Sequence, residues 1–354
     1  MIQRCGDEVK EEIFLAKAQA DLQDQELQRK EREAASGHRR KFRDIMSRTG
    51  KSLDTIKEWQ LQQDKRERKR QLLDSLSSYD YLPPFKRACK ERHCNTAQWI
   101  FETAEFRGWK DGISPWIWCS GKIGSGKTIL LASAVSHAFA YKSGTSEVVT
   151  FFFPQYNDPQ SLCAETVIRS IIRQSLDPVT LSEEMEASLV EMDQKPSTGV
   201  GELTVLLRQK LAHSEKFFIF IDALDDFEPR ERRALLDLLA SLGSSETGLR
   251  VFLAGRESLR GELEDKLPGI ERLSTASADA KSDIALYVKE ALQERIENRD
   301  LVVGDQSLIL DVKQALTEHA DGMYVDSTSS PYLLLTRKVS LGRFLDRRTL
   351  CPTL

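Results

Sequence analysis

Residues 116–131 read WIWCSGKIGSGKTILL: a short apolar run, a glycine-rich loop and the start of a helical run. Gly121, Gly124, Gly126, Lys127 and Thr128 fit the pattern G-x-x-x-x-G-K-[ST]. Few features constrain a fold more. A loop that curls its backbone N–H groups around phosphate needs residues without a Cβ, and the helix after it must present its positive N-terminus to the anion. Gly121, Lys122, Ile123, Gly124, Ser125, Gly126, Lys127 and Thr128 therefore form the candidate nucleotide-binding loop. Lys127 would reach the β- and γ-phosphates, and Thr128 would ligate Mg²⁺.

The chain around this loop alternates strand and helix patterns. PWIWCS (115–120), EVVTFFF (147–153), KFFIFID (216–222) and LRVFLAG (249–255) read as strands. Helical runs between them begin at Lys127, Ser161, Gly201 and Glu231, and Gly243 stands where the last of these would need a C-terminal cap. Such alternation predicts an α/β fold, a parallel sheet flanked by helices. The strands are apolar throughout, as strands covered on both faces should be.

The second half of a phosphate site is an apolar strand ending in acid, and FFIFIDALDD supplies it. Asp222 at the strand end is the candidate magnesium ligand opposite Thr128. Asp225 and Asp226 follow, where a carboxylate can orient an attacking water or simply start a solvated loop. Arg256, directly after RVFLAG, is a candidate sensor of the γ-phosphate or of a carboxylate, and reads equally well as a surface arginine. No Asn-Lys-x-Asp segment follows the loop, which argues against a small GTPase. The acidic strand end fits a hydrolase better than a small-molecule kinase.

Ahead of the sheet, residues 8–75 are charged and nearly free of proline, with apolar residues such as Ile13, Leu27, Ile56 and Leu73 at helical spacing. This predicts a helical, coiled-coil-like arm over 1–75, bent near Gly37 and Gly50, that either pairs with itself or a partner or packs on its own body. Its basic run DKRERKR (64–70) reads as a solvated helix face, with an import or phosphate-binding patch as the alternative. Pro83 and Pro84 mark a break, and NTAQWIFETAEFRGWKDG (95–112) reads as a short amphipathic helix packing through Trp99, Phe101, Phe106 and Trp109. After the sheet, SDIALYVKEALQER presents Ile284, Tyr287, Val288, Ala291 and Leu292 on one face, with Ser282 as its N-cap. Ile309, Val312, Leu316 and Ala320 line a further helix.

The net charge of −4 gives no reason to expect nucleic acid. Six scattered cysteines suit a reducing compartment, and no leader or membrane span is legible, so the expected location is cytoplasmic. Cys89, His93 and Cys94 are close in sequence but lack the further ligands a zinc site needs.

The order HCNTAQWIFETAEFRGWKDG, WIWCSGKIGSGKT, FFF and FIDALDD resembles the NACHT-type STAND NTPases of filamentous fungi, an NLR-like group whose P-loop region is also described as nephrocystin-3-like. The resemblance covers about residues 70–325. It implies a P-loop NTPase that binds ATP or ADP with Mg²⁺, uses Gly121 to Thr128 as its phosphate loop and Asp222 as its magnesium acid, and carries Asp225, Asp226 and Arg256 in its catalytic positions. The chain departs from the family at three places. Thr96-Ala97-Gln98-Trp99 stands where Thr-Gly-x-Trp is usual, Asp226 where Glu is usual, and Ala254-Gly255-Arg256 where Thr-Ser-Arg is usual.

The organisation expected is therefore an arm (1–75), a linker with a short helix (76–114), a NACHT-like P-loop domain (115–272), a helical lid (273–325) and a divergent tail (326–354), read as disordered. The tail resembles nothing in the family and reads as altered splicing or a prematurely ended gene model. The function implied is a STAND-type signalling switch with slow or absent hydrolysis, assembling with itself or a protein partner through the arm. A scaffold with a structural nucleotide and a turnover ATPase are the alternatives.

Overall fold

The computed structural model describes residues 53–93, 96–142, 144, 146–178, 181–195, 199–243, 248–297, 302–303 and 350–351. Most of the arm, the helix expected from Ile309 to Ala320 and nearly all of the tail lie outside them. Five strands form one parallel sheet: β1 (Trp116–Ser120), β2 (Glu147–Phe152), β3 (Lys216–Ile221), β4 (Leu249–Gly255) and β5 (Glu271–Ser274), in the spatial order β2-β3-β4-β1-β5. The fold is α/β, a parallel sheet flanked by helices.

Alternate residues of each strand enter two separate cores. Trp116 and Trp118 of β1, Phe217, Ile219 and Ile221 of β3, and Leu249, Val251 and Leu253 of β4 face one. Ile117 and Cys119, Phe218 and Phe220, and Phe252 and Ala254 face the other. Both sets are buried, which is why the strands read as unbroken apolar runs rather than as alternation. Edge strand β2 is covered as well: the Gln174 side chain accepts from the Phe151 N–H at 3.0 Å and donates to the Phe151 carbonyl at 2.8 Å.

The helix α1 (Leu53–Leu76) is the described part of the arm. Its last turns bury Leu72, Leu73 and Leu76 in the first core. The end of α1 is tied to α5 (Ala164–Leu176; α2 to α4 are given below) by Arg169, which donates to the Leu76 carbonyl, and by Arg173, which donates to the Ser77 carbonyl and pairs with Asp74 at 2.6 Å. The basic run is occupied too, since Arg68 meets Glu186 at 2.8 Å and Lys69 donates to the Asp177 carbonyl at 2.5 Å. So this stretch of the arm packs on its own body, while Trp59 and Leu61 stay exposed.

Several local expectations need correction. Pro83 and Pro84 open a helix, α2 (Leu82–Glu91), instead of ending one, because the first helical positions need no N–H and suit the proline φ. The single helix expected over 95–112 divides at Thr103 into a 3₁₀ turn (Trp99–Glu102) and α3 (Ala104–Asp111), whose Phe106 N–H is capped by the Thr103 hydroxyl. After α4 (Lys127–Ala140) and α5, the sheet is followed round by α6 (Glu183–Gln194), which the sequence reading passed over, and α7 (Val200–Ala212). Then come α8 (Pro229–Leu242), α9 (Arg260–Lys266) and α10 (Ala278–Glu297). Gly243 does end α8, but with φ −84° and not in the left-handed region. Glycine is required there by a close approach: a Cβ would stand 2.0 Å from the Trp116 ring. Ser282 lies inside α10 and bonds the Ala278 carbonyl, while Ser277 accepts the Ala280 N–H and does the capping. Strand β5 includes residues on both sides of the expected 272/273 boundary. Val302–Val303 (β6) pairs antiparallel with Leu350–Cys351 (β7).

Ala97 holds φ +63°, a region that favours glycine, and is 1% exposed. This is the position where the resembled family has glycine. Ala97→Gly is expected to raise stability by about 1 kcal/mol, or roughly 2–4 °C in Tm, read by thermal unfolding. An unchanged or lowered Tm would mean that the buried methyl outweighs the backbone strain.

Candidate functional site

Parallel strands deliver their C-terminal ends to one edge of the sheet, where ligands of open α/β folds bind. Here β1, β4 and β3 are neighbours in that order. The glycine loop after β1, Arg256 after β4 and Asp222 after β3 are thereby brought side by side, although more than a hundred positions separate Gly121 from Arg256. The structure thus gathers all the sequence-predicted site residues at one edge.

The loop has the local shape an anion needs. Gly124 and Gly126 take φ +71° and +79°, and Gly126 caps α4, so the N–H groups of the first turn of α4 open towards the loop. Gly121 leaves no room for a side chain: a Cβ would lie 2.0 Å from the Thr275 Oγ1 and 2.4 Å from the Ser125 Oγ. The Ser125 hydroxyl is buried and has no hydrogen-bond partner within the protein, an orphan donor inside the cradle. The Lys127 ammonium donates to the carbonyls of Gly121 and Lys122 at 3.1 and 2.8 Å, arching over the loop. Ile123 projects outward, 69% exposed. Turned N–H groups, an unpartnered hydroxyl and a cation over the loop together fit a polyphosphate.

Asp222 stands opposite. It is 4% exposed, its N–H donates to the Phe152 carbonyl at 3.0 Å, and its carboxylate is hydrogen-bonded by the Thr128 hydroxyl. Burial pushes its pKa up to about 6, with the Thr128 and Ala223 hydrogen bonds and the nearby Lys127 charge opposing the rise. The Thr128–Asp222 pair is a hydroxyl and a carboxylate converging on one point, a donor set suited to Mg²⁺.

Ala223 takes φ +49° directly after Asp222, a strained backbone at the strand end. That turn sends Leu224–Asp226 into a 3₁₀ helix and aims two carboxylates back at β4. Asp225 is held twice by Arg256: its Oδ1 accepts the backbone N–H at 3.0 Å and its Oδ2 pairs with Nε at 2.7 Å. Asp226 is more open, 3.8 Å from the Arg256 Nη2, and its pKa is raised by burial and by the Asp225 charge.

Two site residues escaped the sequence reading. Thr275, 2% exposed, donates its N–H to the Ser120 carbonyl at 2.9 Å and packs on Gly121. Arg272 donates from Nε to the Ser120 Oγ at 3.0 Å, pairs with Glu257 at 2.6 Å and lies 5.9 Å over the Trp118 ring. They flank the base of the loop from β5 and from the residue just after it; β5 has four residues, of which only Leu273 is apolar. So short and polar a segment carries no periodicity to detect.

Among the described residues no helix is long and apolar enough to cross a membrane, and no group of His, Cys, Asp and Glu clusters as a metal site. Cys89 lies 3.8 Å from the Ser136 hydroxyl, His93 meets Tyr287, and Cys94 falls outside the described residues.

No curated protein matches the chain. Among solved structures, PCH-2 of C. elegans is similar at 13% identity and a TM-score of 0.30, with 61% of this chain and 56% of that one covered. The family model described as nephrocystin 3, N-terminal, matches residues 95–256, from just ahead of the Thr96–Trp99 segment to Arg256.

Proposed function

We propose that the chain is a Mg²⁺-dependent ATP/ADP-binding switch of the STAND kind, with slow hydrolysis. The observation that carries this reading is the pairing of a well-formed phosphate cradle with a catalytic acid that is already committed. Asp225 spends both oxygens on Arg256, so it is not free to orient water while that pair stands. Asp226 is one methylene shorter than the usual Glu and sits at the rim. Such a site favours holding nucleotide over turning it over.

In this reading Lys127, the first-turn N–H groups of α4 and the Ser125 hydroxyl hold the phosphates. Thr128 and Asp222 hold the metal, which when bound would neutralise phosphate charge. Arg256 exchanges its Asp225 partner for the terminal phosphate, which ties the identity of the nucleotide to the position of the β4 end. A ligand moves an equilibrium only by its difference in affinity for the two states, and that exchange supplies a difference between ATP and ADP. The arm, whose described end leaves Trp59 and Leu61 exposed, is the element through which assembly with itself or a protein partner would occur.

The test is to follow particle size by light scattering with ADP and with ATP, together with phosphate release. We expect ATP to enlarge the particle and ADP not to, with turnover below about one per minute, far under the ~10 s⁻¹ of ordinary enzymes. Assembly that ignores nucleotide would favour a scaffold with a structural nucleotide. Sustained turnover would favour a remodelling ATPase.

A further inference from the structure

We infer that Asp283 is a positioning residue that clasps α10 to the turn ahead of β1 and thereby sets how long a nucleotide stays on the phosphate loop. The inference rests on the nucleotide reading above. One segment has two separate attachments. Near the start of α10, Thr275 is stitched to the Ser120 carbonyl at 2.9 Å and fills the space beside Gly121. Farther along, the Asp283 Oδ2 accepts the Ala97 N–H at 2.8 Å, with both residues buried.

Asp283 is five residues beyond Ala278, the first residue of α10, which places it about 8 Å along the helix axis. The same continuous segment thus meets the base of the loop through Thr275 and, eight residues on, Ala97 through Asp283. One turn on, Tyr287 meets the His93 ring edge-on with centroids 4.7 Å apart. Residues four apart share a helix face, so Asp283 meets Ala97 and Tyr287 meets His93 from the same side of α10. The Thr96 hydroxyl donates to the His93 carbonyl at 2.8 Å.

The bond matters because of what it satisfies. Ala97 is in a strained conformation with a buried N–H, and a carboxylate is a stronger acceptor for it than a neutral group. Without that acceptor the donor is left buried and unpaired, and the turn loses what stabilises its positive φ. The helix would then lose one of its contacts ahead of β1 while the Tyr287–His93 contact remains, and the segment covering Gly121 would open more often.

The experiment uses the full chain loaded with N-methylanthraniloyl-ADP and Mg²⁺, chased with unlabelled ADP. Asp283→Ala is expected to release the probe at least about tenfold faster than wild type. Asp283→Asn keeps a side-chain oxygen for the Ala97 N–H and is expected to stay within about threefold. Amide exchange at Ala97 in the nucleotide-free protein gives a second reading, faster in Asp283→Ala and not in Asp283→Asn. Wild-type release from a folded Asp283→Ala protein overturns the inference, and so does equal acceleration by both variants. A wild-type protein that holds no probe overturns the nucleotide reading itself and removes Asp283's role in release, while exchange at Ala97 still reports the clasp.

Discussion

Lys127→Ala is expected to weaken binding of Mg²⁺-bound ATP and ADP by at least about 100-fold and to lower Tm by no more than about 4 °C. The two numbers separate the two jobs of this side chain. A 100-fold loss corresponds to about 2.7 kcal/mol, within what one ammonium making two charge-assisted bonds to phosphate can contribute. The stability cost is smaller because Lys127 is partly exposed and its two bonds in the free protein go to carbonyls that water can reach after truncation. Calorimetric titration and thermal unfolding on the same preparation decide the matter. Retained affinity would mean that the glycine loop holds nothing through this lysine, and the arm would then become the part of the chain to explain. A Tm fall far beyond 4 °C would show the lysine to be a structural brace of the loop.

What could be read from the sequence follows from how locally each feature is encoded. The candidate phosphate loop is written in eight consecutive residues, and a strand stands before it and a helix after it as the pattern requires. The long apolar strands are legible because burial on both faces forces every position to be apolar. The Arg256–Asp225 pair is less so: both residues were candidates, but only the order β3-β4-β1 brings a residue 31 positions away onto the carboxylate. Strand β5 was missed because it is largely exposed, buries only Leu273 and is defined by its pairing with β1 and not by its own composition. Helix α6 was missed although Ser182 with three acids in the first turn is a start signal; its weak apolar spacing hid it. Pro83 and Pro84 were misjudged because proline is compatible with the first turn of a helix as readily as with its end. At Ala97 the sequence showed a departure from a family pattern, and the positive φ supplied its physical meaning.

Lowering the pH from 7.5 to 5 is expected to weaken Mg²⁺-dependent nucleotide binding about tenfold through Asp222, whose carboxyl holds its proton to about pH 6. A metal ligand must be ionised, and at pH 5 only about one site in ten is. The same shift has the opposite sign for the stability of the ligand-free protein. The ordinary Asp value is 3.8 and the folded value is raised to about 6, so between these the folded state binds more protons than the unfolded state. Stability from this group therefore falls as pH rises from about 4 to about 6, and is level above that window. Above it the buried charge is a cost that bound metal offsets, so Mg²⁺ with nucleotide should raise Tm more at pH 7.5 than at pH 5. The terminal phosphate of a nucleotide also titrates at about pH 6. Asp222→Asn separates the two contributions, since it should bind weakly at every pH and keep only the slope that belongs to the nucleotide. If wild type and Asp222→Asn lose affinity with identical pH dependence, Asp222 takes no part in holding the metal. A wild-type slope steeper than that of the variant assigns the difference to this carboxylate, because it is the one group removed.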